Sequence, residues 1–269
     1  MLFEEIVYGP IRSRRLGVSL GINLMPQHGK ICSFDCIYCE CGYNASYADH
    51  RLPSREEVRE ALEAKLTTLV RGSLDPRKGV EIDVITFSGN GEPTLHPDFE
   101  GIIADTCALR DRYCPAAKVS VLSNSTQLGR ADVVRALKMC DNRILKLDSA
   151  IERTMHLIDE PVNKDLTVAD IKAWLRQFDG DFTLQTCFLR GTLSAHYGMD
   201  LAGQKVDNTT EEELEAWYKA VEELRPKQVM IYVIDRATPE QQLEKISREQ
   251  MEAIADVLRE KGFDVSVSA

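Results

Sequence analysis

The sequence predicts an α/β fold, an open and partial (β/α)6 barrel of the TIM type with parallel strands. Short runs rich in β-branched residues alternate with longer segments of helical period, which is the pattern of repeated βα units. Six such repeats are too few for a closed eightfold barrel. The 269 residues are enough to bury a large core, and they contain no Pro- or Ser-rich linker. We therefore expect a single domain over residues 1–269.

The expected elements follow from local signals in the order of the chain. Helix starts are marked by capping boxes, in which a Ser or Thr and an acid three residues later bond each other's backbone amides. Ser54 with Glu57 and Thr167 with Asp170 form such pairs. Further helices are expected at Thr210–Leu224 and Ser247–Lys261. The expected strands are Val18–Leu24, Ile82–Ser88, Lys118–Leu122, Arg143–Leu147, Thr183–Leu189 and Gln228–Ile234, with a short last strand at Phe263–Val267 after the C-terminal helix, within residues 247–269.

Two long segments are expected to be irregular, Gly29–Arg51 and Arg190–Asn208. Each comes directly after a predicted strand. In parallel α/β folds, ligands bind at the carboxyl ends of the strands. The first of these segments, residues 29–51, also contains four of the eight cysteines. It is therefore the first place to look for a site.

Composition excludes several classes of protein. With 43% hydrophobic and 28% charged residues, the chain is neither disordered nor membrane-embedded. The acidic N-terminus and the lack of a long apolar run predict a cytoplasmic protein without membrane contact. In that reducing compartment the eight cysteines are expected to be metal ligands, catalytic groups or buried side chains. A net charge of −10 disfavours a large nucleic-acid surface but permits a local basic patch.

The strongest chemical signal is a C-x3-C-x2-C run, Cys32-Ser-Phe-Asp-Cys36-Ile-Tyr-Cys39. Three thiolates this close in sequence suit an iron-sulfur cluster, zinc or copper(I). A cubane cluster has four irons, so three cysteines would leave one iron open to a ligand. A zinc knuckle, or a chance group of buried cysteines, remains the alternative interpretation. Cys41 follows closely, and we expect it not to be a ligand.

A second motif follows the next predicted strand: Gly89-Asn90-Gly91-Glu92-Pro93. Glycines at the tip of a strand allow the backbone to approach a ligand, and a carboxylate accepts hydrogen bonds from an ammonium group. Taken alone, the motif is more typical of a tight turn.

The cysteine run, with an aromatic residue at Tyr38, resembles the signature of the radical S-adenosylmethionine (SAM) superfamily. The resemblance implies that Cys32, Cys36 and Cys39 bind a 4Fe-4S cluster whose open iron chelates SAM. Reductive cleavage of SAM then gives a 5′-deoxyadenosyl radical, and a reducing partner such as flavodoxin or ferredoxin supplies the electron. Gly89, Gly91, Glu92 and Pro93 would match the superfamily's Gly-Gly-Glu motif, with Asn90 as a departure from it.

The resemblance also implies cofactor contacts near the ends of later strands. The backbone around Tyr38 would lie against the adenine, and Asn124 and Asp148 would contact the ribose and methionyl parts of SAM. Asn124 and Asp148 could instead cap helices. Gln185 lies within the fifth strand and faces either the pocket or a helix. Cys187, on the same strand, could face the barrel and there supply a hydrogen atom or reach a second cluster.

A wider resemblance, over most of the chain, is to short iron-sulfur oxidoreductases related to the enzymes that build the wybutosine base of tRNA. Five segments carry it: Tyr8–Gly17, Cys32–Cys39, Ser88–Pro97, Leu145–Asp148 and Ile231–Glu240. The resemblance does not extend to a substrate, because function on a shared fold depends on the site.

Candidate substrate residues are charged side chains near the expected pocket. Arg12, Arg14 and Arg15 form a basic cluster suited to phosphate, or else an ordinary solvated surface. Asp235 and Arg236 follow the last repeated strand and either pair with one another or contact substrate.

Several functions remain open at this point. Within the radical SAM interpretation, modification of a tRNA base competes with activation of a glycyl-radical enzyme and with small-molecule chemistry. A non-catalytic iron-sulfur or zinc protein is the alternative from another class, and it requires a fourth protein ligand such as Cys41.

Overall fold

The structure is a computed structural model that describes residues 2–13, 17–44, 51–72, 82–194 and 202–269. Its strands are β1 (Val7–Ser13), β2 (Gly17–Ile22), β3 (Val84–Phe87), β4 (Lys118–Ser123), β5 (Asn142–Lys146), β6 (Thr183–Thr192), β7 (Lys205–Asp207), β8 (Gln228–Val233), β9 (Leu243–Lys245) and β10 (Val265–Ser268). Its α-helices are α1 (Arg55–Gly72), α2 (Phe99–Tyr113), α3 (Ala131–Met139), α4 (Glu152–Asp159), α5 (Val168–Leu175), α6 (Glu211–Leu224) and α7 (Arg248–Glu260).

The chain divides into two compact units. Unit 1 consists of Met1–Cys32 and Asn44–Ile144, and unit 2 of Ser33–Tyr43 and Leu145–Ala269. The division falls inside the cysteine run, after Cys32, and inside β5. The expectation of a single domain over residues 1–269 stays a prediction.

Unit 1 contains the strands β1-β2-β3-β4 in that order, with the first residues of β5 next to β4. β1 is antiparallel to β2, whereas β2, β3 and β4 are parallel, with Ser19 opposite Val84 and Val84 opposite Lys118. All four residues of β3 are buried, as expected for a strand covered on both faces.

Unit 2 contains the end of β5, then β6, β8 and β10. β6, β8 and β10 are parallel, with Thr183 opposite Gln228 and Val265 opposite Val229. The short strands β7 and β9 pair antiparallel with the far end of β6. Trp217 of α6 is buried against this sheet and donates a hydrogen bond from Nε1 to Thr186 Oγ1 at 3.0 Å.

The predicted fold class is confirmed. The six repeated strands are present as β2, β3, β4, β5, β6 and β8, and their ends differ by no more than two or three residues from those predicted. Among the described residues the hydrogen-bonded strand order runs from β1 to β10 without returning to its start. Both capping boxes form, because the Glu57 amide bonds Ser54 Oγ at 3.2 Å and the Asp170 amide bonds Thr167 Oγ1 at 3.1 Å.

Three antiparallel strands were not predicted. β1 contains Gly9-Pro10, which interrupts the strand pattern and coincides with a register shift, and proline is tolerated only at sheet edges or bulges. β7 and β9 are three residues long and mostly charged. The prediction that Arg190–Asn208 is wholly irregular was wrong, since β6 extends to Thr192 and pairs with β7. No helix among the described residues is long and apolar enough to cross a membrane.

Candidate functional site

The start of the cysteine run is held by a backbone bridge in unit 1. Ile31 pairs with Gly91, with the Ile31 amide bonding the Asn90 carbonyl at 3.0 Å and the Glu92 amide bonding the Ile31 carbonyl at 3.1 Å. Gly91 has φ of 139°, and a Cβ there would lie 1.7 Å from the Ile31 oxygen. Glycine is therefore required at position 91 so that the chain leading to Cys32 can lie against it.

Glu92 ties the turn after β3 to the end of β4. Its buried carboxylate accepts hydrogen bonds from the Thr94 amide (3.1 Å), Thr94 Oγ1 (2.5 Å), Ser123 Oγ (2.9 Å) and the Asn124 amide (2.7 Å). Burial raises the pKa of Glu92 above its usual value, although these hydrogen bonds oppose the shift. The carboxylate of Glu92 therefore accepts all four of these hydrogen bonds from residues of unit 1.

Asn124 contacts the first cysteine sulfur. Its Nδ2 donates a hydrogen bond to Cys32 Sγ at 3.4 Å, while its Oδ1 accepts from the Thr126 amide at 3.1 Å and from Thr126 Oγ1 at 2.8 Å. The side chain therefore stabilises a turn and reaches a candidate metal ligand, and it does not cap α3, which begins at Ala131.

Asn90 occupies the place where the superfamily motif has glycine, and it is fully buried. Its Nδ2 donates to the carbonyls of Phe3 (2.9 Å) and Pro26 (2.7 Å), and its Oδ1 accepts from the Phe3 amide at 2.8 Å. The amide side chain thus joins three stretches of unit 1. Only the unexpected amide in the glycine motif marked this position in the sequence.

In unit 2 a buried lysine lies beside the second cysteine. Lys146, at the end of β5, places Nζ 3.1 Å from Cys36 Sγ and 3.1 Å from Asp148 Oδ2, and it also forms an ion pair with Asp159 Oδ1. We call Lys146, Asp148, Asp159 and Cys36 the Lys146 cluster. Burial alone would lower the pKa of Lys146, but the two carboxylates raise it well above its usual value. Lys146 is therefore an ammonium group at neutral pH.

Two phenols and a thiol extend this network. Tyr38 donates to Asp148 Oδ2 at 2.5 Å, and Tyr232 donates to the Tyr38 hydroxyl at 3.4 Å. The amide of the fully buried Cys187 donates to Asp148 Oδ1 at 2.8 Å. Burial raises the pKa values of Tyr38, Tyr232 and Cys187, so all three are neutral at pH 7. Both carboxylate oxygens of Asp148 therefore accept hydrogen bonds from other residues of unit 2.

The loop after β8 holds the part of the cysteine run that belongs to unit 2. Arg236 pairs with Glu40, between Cys39 and Cys41, with Nη1 at 2.7 Å from Oε2. Asp235 pairs with Lys245 at 3.7 Å. The structure therefore gives Asp235 and Arg236 ion-pair partners other than one another.

Glu240 is the buried anchor of the same loop. Its carboxylate accepts from Tyr43 Oη at 2.9 Å, from the Ser194 amide at 2.9 Å and from Ser194 Oγ at 2.6 Å, and its amide donates to the Ile37 carbonyl at 3.2 Å. Glu240 thus holds Ile37 through its backbone amide and Tyr43 through its carboxylate, on the two sides of Cys39. Glu240 was quoted in the sequence resemblance, but no role was predicted for it.

Comparison with proteins of known sequence finds distant relatives. The chain is 33% identical over 190 residues to the UPF0026 protein of Methanocaldococcus jannaschii, covering 68% of this chain and 54% of that protein. It is 28% identical over 249 residues to a protein named GTPase Obg of Brachyspira hyodysenteriae, covering 91% of this chain and 32% of that protein. The chain thus spans between a third and about half of these relatives. No protein-family model matches it.

Solved structures are similar over most of the chain. SuiB of Streptococcus suis bound to SAM superposes with a TM-score of 0.61 at 11% identity, over 90% of this chain and 49% of SuiB. TYW1 with a lysine-pyruvate adduct gives 0.62 at 14% identity, over 90% of this chain and 73% of TYW1. The Escherichia coli oxidase HemN, described as a radical SAM enzyme, gives 0.51 at 15% identity, over 86% of this chain and 49% of HemN. The chain has the radical SAM fold.

The residue types of the C-x3-C-x2-C run fit an iron-sulfur cluster. Cys32, Cys36 and Cys39 are not in disulfides, and buried side chains donate hydrogen bonds to the first two sulfurs, as they would to thiolates. Among the residues that the structure describes, no three His, Cys, Asp or Glu side chains are grouped around a single ion position. A cubane does not require such a group, because each thiolate binds a different iron.

The remaining predicted residues lie as follows. Pro93 begins a short 3-10 turn capped by Glu92. Gln185 is buried in β6, with its Nε2 3.6 Å from Met230 Sδ. Arg12 is exposed, whereas Arg14 and Arg15 lie outside the described residues. The proposed contacts of all these residues with SAM or substrate stay predictions.

Lys146 is the neighbour of the cysteine run that sequence reasoning missed. It lies between Leu145 and Leu147 on a strand whose last four residues are buried. A charged residue inside such a run is a signal in itself, since lysine is almost never buried without a partner.

Replacing Gly91 with alanine tests the backbone bridge. We expect Gly91→Ala to lower the free energy of unfolding by about 3 kcal/mol, because the added Cβ overlaps the Ile31 carbonyl and the positive φ is unfavourable. Urea denaturation followed by circular dichroism measures the loss. Gly262→Ala is the matched control, with φ of 86° and open space around the Cβ, and we expect about 1 kcal/mol. Equal losses would contradict the bridge.

Replacing Glu240 with glutamine tests the anchor of the cysteine run. The amide NH2 cannot accept the hydrogen bonds that the carboxylate accepts, so Glu240→Gln should cost about 1–3 kcal/mol. Hydrogen exchange should be at least about tenfold faster at the amides of Ser194 and of residues 37–43. The exposed Glu244→Gln on β9 serves as control. Unchanged exchange in both variants would rule out this role for Glu240.

Proposed function

We propose that the chain is a radical SAM enzyme that holds a 4Fe-4S cluster through Cys32, Cys36 and Cys39 and binds SAM at the open iron. When bound, this group supplies the reductive cleavage of SAM to a hydrogen-abstracting radical. The observation that carries the proposal is the C-x3-C-x2-C run on a radical SAM fold, with Asn124 and Lys146 donating to two of its sulfurs.

The chain's own residues would act mainly by positioning. Because the Glu92 carboxylate already accepts four hydrogen bonds, we propose that it holds Gly91 and Asn124 in place. Asp148 acts in the same way on Lys146 and Tyr38. We retain the following as the residues around SAM: Tyr38, Gly89, Gly91, Glu92, Pro93, Asn124, Asp148 and Gln185.

The reaction class is an oxidoreductase that depends on an external electron. We propose a flavodoxin or ferredoxin as the reducing partner and the cytoplasm as the compartment. All eight cysteines lie among the described residues and none is in a disulfide, which fits a reducing environment.

For the substrate we propose a base of tRNA. The support is the resemblance to the wybutosine-related branch and the exposed Arg12 at the edge strand β1. TYW1 carries a lysine-pyruvate adduct in its structure, but we do not propose Lys146 for such an adduct. Paired with Asp148 and Asp159, Lys146 remains an ammonium group, which is not a nucleophile.

The catalytic proposal predicts formation of 5′-deoxyadenosine. The anaerobically reconstituted and reduced protein should release it from SAM, and Cys32→Ala, Cys36→Ala and Cys39→Ala should each reduce the product to background because cluster ligation is lost. Chromatographic assay of the product with parallel iron analysis checks this. A fully loaded, reduced cluster that gives no product would contradict the proposal.

Cys41→Ala separates the proposal from a non-catalytic metal protein. With an open iron, Cys41→Ala retains iron and activity like the unmodified chain. A closed site with four protein ligands predicts instead that Cys41→Ala loses as much metal as Cys39→Ala.

The substrate proposal predicts binding of tRNA that weakens with salt. Arg12→Ala should lower the slope of log affinity against log salt concentration by about one, since one phosphate contact is lost. Gel shift at several salt concentrations measures this, with the exposed Arg248→Ala as control. Absence of any shift at low salt, in a protein that cleaves SAM, would favour glycyl-radical activation or small-molecule chemistry.

A further inference from the structure

Lys146 is buried and contacts a candidate cluster ligand directly. Its side chain is 9% exposed, and those of Asp148 and Asp159 are 0% and 2% exposed. Its Nζ lies 3.1 Å from Cys36 Sγ, within hydrogen-bonding distance. A cation this deeply buried is rare unless it is paired, and here it is paired on both sides.

Aromatic rings complete the surroundings of the ammonium group. Nζ lies 4.8 Å from the ring centre of Phe34 and 5.1 Å from that of Tyr38, and both residues flank Cys36 in sequence. Phe34 is buried. These rings keep water away from the charge, so its field at the Cys36 sulfur is screened much less than that of a surface lysine.

Hydrogen bonds to the sulfurs and nearby charge are what a protein uses to set the potential of an iron-sulfur cluster. The reduced cluster carries one more negative charge than the oxidised cluster. A donated N–H bond and a positive charge at a ligand sulfur therefore favour reduction, and a nearby carboxylate disfavours it.

We propose that Lys146 raises the reduction potential of the cluster through its hydrogen bond to Cys36. Asp159 reduces this increase through its ion pair with the ammonium group. Lys146 is a positioning and tuning residue, since it acts through Cys36. This inference rests on the proposed function and deepens it, because it assigns the control of electron entry to named residues.

The arrangement predicts potential shifts of opposite sign for the two partners. Lys146→Met removes the positive charge and the hydrogen bond, so the ratio of reduced to oxidised cluster at a fixed applied potential should fall at least about tenfold. For a one-electron couple that is a shift of about 59 mV. Burial raises the pKa of Asp159 to about 7, so the titration is carried out in mildly alkaline buffer. There Asp159→Asn removes a negative charge of similar burial and should raise the ratio. A purely structural role would not produce opposite signs.

The measurement is a redox titration of the reconstituted protein, with the reduced cluster detected by electron paramagnetic resonance. Lys227→Met is the matched control, because this lysine pairs with Asp181 at 2.9 Å but is 41% exposed. Its potential should equal that of the unmodified chain. Shifts of the same sign in Lys146→Met and Asp159→Asn, or no shift beyond that of Lys227→Met, would overturn the inference.

Lys146→Met leaves two carboxylates unpaired and can fail to fold. A second variant then still tests the inference. The double variant Lys146→Met/Asp159→Asn removes one charge of each sign, and its potential should lie below that of Asp159→Asn alone. Circular dichroism identifies which variants are folded. A double variant with the same potential as Asp159→Asn would contradict a role for Lys146.

Assay of 5′-deoxyadenosine on the same samples separates this inference from the proposed function. Opposite shifts in a cluster that does not cleave SAM would support the inference and contradict the function. Cleavage of SAM with unshifted potentials would support the function and contradict the inference. If the unmodified chain binds no iron after reconstitution, both are overturned.

Discussion

The ammonium group of Lys146 is the constraint on which the arrangement of unit 2 depends. An unpaired charge at that depth would cost several kcal/mol, so the fold must bring carboxylates to it. Asp148 comes from the end of the same strand and Asp159 from the end of α4. Once Asp148 is fixed there, its oxygens also orient Tyr38 and the backbone at Cys187. One charge thereby orders the strand ends around the second cysteine.

Unit 1 reaches a similar result without an ion pair. A glycine lets the chain before Cys32 lie flat against the turn after β3, and a buried carboxylate binds that turn to the end of β4. Different kinds of interaction therefore stabilise the two parts of the cysteine run. Backbone packing supports Cys32, and buried charge supports Cys36.

Local signals in the sequence were sufficient for much of the fold. The capping boxes at Ser54 and Thr167 involve residues three apart, and the repeated strands are short runs rich in β-branched and other apolar residues. The strand β1 was not predicted, because Gly9 and Pro10 interrupt its sequence pattern and the strand is stabilised by pairing with β2. The three candidate cysteine ligands could be proposed from the sequence because they fall within eight residues. Their partners were not, since Asn124 is 92 residues from Cys32 and Lys146 is 110 residues from Cys36.

The contacts of Arg236 and Glu240 have a consequence for exchanging loops at this end of unit 2. The loop after β8 reaches Glu40, Ile37 and Tyr43, in and beside the cysteine run, across about 200 residues of sequence. New substrate preferences commonly arise by exchanging loops at the carboxyl ends of barrel strands. In this chain that loop also supports the segment that carries the three cysteines, so a loop transplanted from a relative would need matching residues at positions 236 and 240.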